Sequence, residues 1–395
     1  SLPVAGVGGT APLSFGFISV PGTFTIVANH ASNICTAVMT GSLTLIPNPA
    51  PFIINPPGNA CPGSEIWLSG SQINGNYTLH LPAGQTITKP GDGNTLSWGP
   101  MYQPGAYYIS AASSVNTCIG NMTGTTTIRP NPGVFSLLPP GIHCEPQVLS
   151  MQNAEANTTY EILYSNGSSL NPPVTVTPTS AGGFSFGVPL NAGIYMVRAV
   201  NSFGCDTLMN GAVTIHAQPT VNAGPTDTTI CNLPPWSIDL SGTAGNYTSV
   251  LWTSPTNPTG SNFSNPNSLQ TSYTFTAADL ANKTVTLTLK VTGAGGCATA
   301  TSQDQITVHI LAPIVDAGQD QSACVSQKFT LNGTVAGNTT TGEWSGGAGT
   351  FSPNRQALHA EYTPDISEAG TSVVLTLSST QADPCPNVSD QVTLT

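Results

Sequence analysis

The sequence predicts an all-β protein built as a tandem array of small β-sandwiches, and three observations carry that prediction. Only 6% of the 395 residues are charged, while glycine and proline supply 41 and 34 of them; an ordinary soluble chain is roughly 25% charged. Polar surface must then come from Ser, Thr and Asn, which favour strands and turns. Val285, Leu287 and Leu289 alternate with Thr286 and Thr288, and Val373, Leu375 and Leu377 repeat the pattern, the period of a half-buried strand. Cysteines recur at 35, 118, 205, 297 and 385, in steps of 83, 87, 92 and 88, about the length of one sandwich.

The units follow in order. "PGTFTIVANHASNIC" (21–35), "PGAYYISAASSVNTC" (104–118) and "NAGIYMVRAVNSFGC" (191–205) share a glycine corner, an aromatic (Phe24, Tyr107, Tyr195) expected in the core, and a late cysteine. A second unit begins at "VNAGPTDTTIC" (221–231) and recurs at "VDAGQDQSAC" (315–324), with "FSNPNSLQTSYTF" (263–275) matched by "FSPNRQALHAEYTP" (351–364). Boundaries placed at prolines give a C-terminal part of a repeat at 1–47 and complete domains at 48–130, 131–219, 220–313 and 314–395. The joints "IPNPAP", "IRPNPG", "HAQPT" and "LAPIV" are short and proline-bearing, which stiffens them.

Each complete domain also carries an early cysteine. Pairing early with late inside a domain predicts Cys61–Cys118, Cys144–Cys205, Cys231–Cys297 and Cys324–Cys385, closing loops of 57, 61, 66 and 61 residues and leaving Cys35 unpaired in this segment. In the chain-entropy model a loop of about 60 residues stabilises a domain by roughly 4 kcal/mol. Disulfides imply an oxidising, extracellular or cell-surface location.

Chemistry has few candidates. A net charge of −11 with seven Lys plus Arg disfavours nucleic acid and anionic membrane, and no apolar run approaches the roughly 20 residues of a membrane span. The chain starts in mid-pattern, which suggests an excerpt or a processed product. The six histidines occupy different places in the repeats, no C-x-x-C occurs, and no enzyme constellation emerges. No cofactor is expected; Asp227, Asp316 and Asp320 are the weak calcium candidates, short of a 6-to-8 oxygen shell. Trp252 and Trp344, at matching positions, are expected to pin the cores, leaving Trp67, Trp98 and Trp236 as candidates for exposed contacts.

The frame carried by "PGTFTIVANHASNIC", "PGAYYISAASSVNTC" and "NAGIYMVRAVNSFGC" resembles the repeats of SprB-type gliding-motility adhesins, surface proteins of Bacteroidota exported by type IX secretion. The second unit resembles the PKD-like, immunoglobulin-like repeats of the same class. Together the two patterns cover essentially the whole chain, although "GIHCEPQVLSMQ" is an atypical entrance and the family's C-terminal export signal is absent. The resemblance implies a non-enzymatic rod or stalk in adhesion or gliding, facing a surface polysaccharide or substratum and neighbouring repeats. It also implies O-glycosylation at Thr207, in "DTL", and more loosely at Thr228, in "DTT". Two alternatives are a carbohydrate-binding array of a secreted polysaccharide hydrolase, using Trp98 or Trp67, and a self-assembling filament subunit bonded across the joint through Cys35.

Overall fold

Alternation in the sequence becomes alternation of burial. Along the strand Thr284–Gly293, Val285, Leu287, Leu289 and Val291 are no more than 5% exposed, while the threonines between them are reached by solvent. Val285 lies opposite Val308 and Leu287 opposite Ile306 on the antiparallel strand Thr301–Leu311. Each such side chain contributes about 1.5–3 kcal/mol by leaving water. The computed structural model describes residues 4–32, 34–114, 118–256, 258–324 and 327–395. They form an all-β array of immunoglobulin-like sandwiches, divided into two compact units.

The first unit comprises Ser1–Pro140, Val148–Val188 and Ile194–Val213. At its start two small sheets, Gly22–Phe24 with Leu43–Leu45 and Val27–Asn29 with Thr36–Val38, are largely exposed, with Phe24 partly covered. A sandwich follows, its core built on Ile54, Ile66, Tyr77, Leu79, Tyr107 and Ile109. One layer runs Leu96–Met101, Ser64–Leu68, Ile54–Asn55; the other contains Gly105–Ser113 and Gly75–His80. Its short early strand Gly58–Ala60 pairs parallel with its last, Thr126–Ile128. Further along the unit, Thr159–Tyr164 pairs antiparallel with Gly193–Val200, burying Tyr160, Ile162, Tyr195 and Val197.

The second unit comprises Gly141–Gln147, Pro189–Gly193 and Thr214–Thr395. Two further cores lie in it, around Trp252 and Trp344, both 0% exposed. In the first of these, Asp227–Cys231 is again parallel to the closing strand Thr301–Leu311; in the second, a parallel bridge joins Gln321 to Leu394. The one α-helix among the described residues, Ala277–Asn282, starts at a capping box: Thr276 Oγ1 accepts from Asp279 N–H, and the Asp279 carboxylate accepts from Thr276 N–H. The boundaries expected at 130, 219 and 313 fall outside strands, but Gly141–Gln147 and Pro189–Gly193, inside the expected 131–219 domain, group with the second unit.

Candidate functional site at the stapled joints

Among the described residues the disulfides are Cys61–Cys205, Cys144–Cys297 and Cys231–Cys385, spanning 144, 153 and 154 residues. The expected intradomain bonds Cys61–Cys118, Cys144–Cys205, Cys231–Cys297 and Cys324–Cys385 are therefore corrected. Every observed bond joins an early cysteine to the late cysteine one repeat further on. The reason lies in the parallel pairing of the strand that leads to the early cysteine with the closing strand. Cys231 sits opposite Leu311 at the C-terminal end of the closing strand, whereas Cys297 precedes that strand's start at Thr301. Ten residues of strand separate the two ends, about 33 Å at 3.3 Å per residue, and a disulfide needs Cα atoms roughly 4.4–6.8 Å apart. Once its sandwich is folded, an early cysteine cannot reach its own late partner; it points towards the next repeat.

The three joints are built alike. The residue opposite the early cysteine offers its carbonyl to the incoming sulfur: Arg129 O lies 3.9 Å from Cys205 Sγ, His216 O 3.4 Å from Cys297 Sγ, and Leu311 O 4.0 Å from Cys385 Sγ. The strand end is clamped beside it, since Arg129, Glu145 and Asn232 N–H donate to Ala60 O, His216 O and Leu311 O at 2.8, 3.0 and 2.7 Å.

Local chemistry then differs. In the first unit the Arg129 guanidinium lies 4.4 Å from the Phe203 ring centroid, a cation–π contact, and Asn201 Nδ2 donates to Pro130 O at 2.9 Å. In the second, Gly296 N–H donates to His216 Nδ1 at 3.1 Å, and Gln218 Nε2 donates to Glu145 O at 2.9 Å. Glycine is required here. A Cβ on Gly296 would stand 2.4 Å from His143 O, and one on Gly337 2.1 Å from Ala312 O. The latter glycine belongs to "AGN" (336–338), which repeats "AGN" (244–246); Asn246 Nδ2 donates to Gln218 O at 3.2 Å. That repeated tripeptide is a sequence signal for the two later joints.

The remaining expected residues are dispersed. Cys35 and Cys324 are exposed, and Cys118 is half-buried. Asp227 Oδ1 lies 3.4 Å from His309 Nε2, Asp316 accepts from Gly318 N–H and Asp320 from Thr393 N–H. Among the described residues no three His, Cys, Asp or Glu side chains converge. Asp304 and Asp390, not singled out in sequence, accept from Ala223 and Ala317 N–H at 2.8 and 2.9 Å, tying each entering strand to the closing one. Thr207 and Thr228 are half-buried on strands. Trp67 and Trp236 are exposed, but Trp98 is not: it alternates with Ser97 on a sandwich strand, is 8% exposed, and donates to Ile87 O.

Buried titratable groups serve the cores. Burial works against ionisation of Asp279, but hydrogen bonds from Thr276, Tyr273 and Thr256 outweigh it and hold its carboxyl below the usual range. Burial, then the Glu368 carboxylate, push the Tyr362 hydroxyl up to about 12. Tyr273 and Tyr362 both donate to fixed carboxylates, those of Asp279 and Glu368, and Tyr273 also lies 3.2 Å from the Ser254 hydroxyl.

No protein-family model matches the chain, and no curated protein matches it. Among solved structures it is similar to Sidekick-1 immunoglobulin domains 1–4, at 11% identity over 88% of this chain and 97% of that one, with a TM-score of 0.30. The N-terminal eight Ig domains of Down syndrome cell adhesion molecule align at 10% identity over 95% and 52%, TM-score 0.40. Protocadherin gamma B2 extracellular cadherin domains 3–6 align at 11% over 87% and 99%, TM-score 0.31. These are tandem adhesion-type arrays; the fold assignment here rests on the chain's own sheets and cores.

Proposed function

We propose that the chain is an extracellular, non-enzymatic repeat segment that acts as a covalently braced rod or stalk in adhesion. The observation that carries this is the bonding pattern: three disulfides run from one repeat to the next. A bridge within a domain protects that domain, whereas a bridge across a joint restrains bending and transmits load. Short proline-bearing joints add stiffness, and a surface with 6% charged residues suits an uncharged or sugar-coated face. On this reading Thr207 carries an O-glycan, and an intact mass equal to the bare chain removes that part. Gliding motility as the output, with export by type IX secretion, is the narrower form suggested by the SprB-like frames.

Small-angle scattering of the oxidised chain tests the rod. The expected result is a radius of gyration well above the roughly 21 Å of a globular 395-residue protein, with a rise in flexibility after reduction. A compact particle, or scattering indifferent to reductant, overturns the reading.

A further inference from the structure

Cys324 occupies, in the last sandwich, the place that Cys61, Cys144 and Cys231 occupy in those before it. The strand register establishes the equivalence. Thr228 lies opposite Val308, and three residues on Cys231 lies opposite Leu311. Gln321 lies opposite Leu394, so three residues on Cys324 stands opposite the third position past Leu394. Ala323 N–H already donates to Thr395 O at 3.0 Å, continuing the same ladder.

Each of the three equivalent cysteines leaves its own sandwich to bond a loop cysteine of the next. Cys324 is exposed as a thiol. Beside it opens a cavity of about 310 Å³ lined by Phe329, Val373, Leu394 and Ile366; Ile366 is 84% exposed, an isoleucine standing in solvent at the rim.

We infer that Cys324 is the attachment point for the loop cysteine of a further immunoglobulin-like module carried on from Thr395, the module's loop seating over the Ile366 recess. The bond forms by loss of two thiol hydrogens, as two protons and two electrons, which reduce the disulfide of a thiol–disulfide oxidoreductase or of oxidised glutathione to two thiols. The inference deepens the braced-rod reading and rests on it.

The test extends the chain in register. Thr395 is equivalent to His309, so a second copy of residues 310–395 is appended directly after Thr395. Folded, oxidised protein is treated with N-ethylmaleimide, digested without reduction and mapped by mass. In the 395-residue chain Cys324 takes up the label. In the extended chain its labelling is lost, and Cys324 is found joined to the appended counterpart of Cys385; serine at that counterpart restores labelling. A second extension, with residues 215–313 appended, should join Cys324 to the counterpart of Cys297. Cys324 labelled in both extensions, or bonded to Cys385 of its own sandwich or to another molecule, overturns the inference. The same digest reports Cys61–Cys205, Cys144–Cys297 and Cys231–Cys385, so failure of the rod reading is seen separately.

Discussion

Pulled from its ends, the oxidised chain should lengthen far less than its residue count allows. Between Cys61 and Cys385 lie 324 residues, but the bonds Cys61–Cys205 and Cys231–Cys385 leave a covalent path of only the 26 residues from Cys205 to Cys231. At about 3.6 Å per extended residue that path reaches roughly 90 Å, against roughly 1,200 Å for the reduced chain. Bonds within each domain would instead leave three segments of 26, 26 and 27 residues, or roughly 280 Å. Single-molecule force spectroscopy with handles at the two ends measures the difference directly, since residues outside Cys61 and Cys385 add the same length in every case. The expected result is a contour gain of about 1,100 Å on adding reductant. A gain nearer 900 Å, with the oxidised chain already about 190 Å longer than expected, would refute the cross-joint pattern.

Three further outcomes follow from particular contacts. Gly296→Ala places a methyl against the His143 backbone and should slow formation of Cys144–Cys297 and lower the melting temperature, read by non-reducing peptide mapping and calorimetry, while Gly296→Ala in chain already lacking both cysteines should cost less. Asp279→Ala strips partners from Tyr273, Thr256 and Thr276 and should destabilise the sandwich around Trp252 by about 3 kcal/mol in denaturant titration. Because the folded Asp279 carboxyl titrates below its ordinary value, the unfolded chain takes the proton first; its stabilisation is complete above the unfolded pKa of about 3.9 and is lost as pH falls through the folded one, a loss that Asp279→Asn should blunt. Trp252→Ala should cost about 3–5 kcal/mol, whereas Trp236→Ala, at 44% exposure, should change stability by less than about 0.5 kcal/mol.

The alternating strands and the buried Trp252 and Trp344 were legible in the sequence because each depends on local period and composition. The cysteine partners were not. Bonds within a repeat and bonds to the next repeat are equally regular in spacing, and closing a loop of about 150 rather than 60 residues changes the entropy by only about 0.8 kcal/mol. What decides is that Asp227–Cys231 lies parallel to Thr301–Leu311, a tertiary fact that the strand's own residues do not record. Trp98 does not recur in register between repeats, yet Leu96 and Trp98 stand two apart on one strand face, and that alternation buries it. The joint residues Arg129, His216 and Gly296 escaped notice because each acts on a neighbouring repeat about 74 to 80 positions away.

The pairing of opening and closing strands also imposes an order on biosynthesis. Cys61, Cys144 and Cys231 each emerge well before the residues they bond, and must wait as thiols until one more repeat has been made. During that wait the next cysteine downstream is the wrong one, and only completion of the β-structure carries it out of reach. Folding therefore proofreads oxidation, and a secretory pathway that oxidised faster than the strands could close would produce mispaired protein.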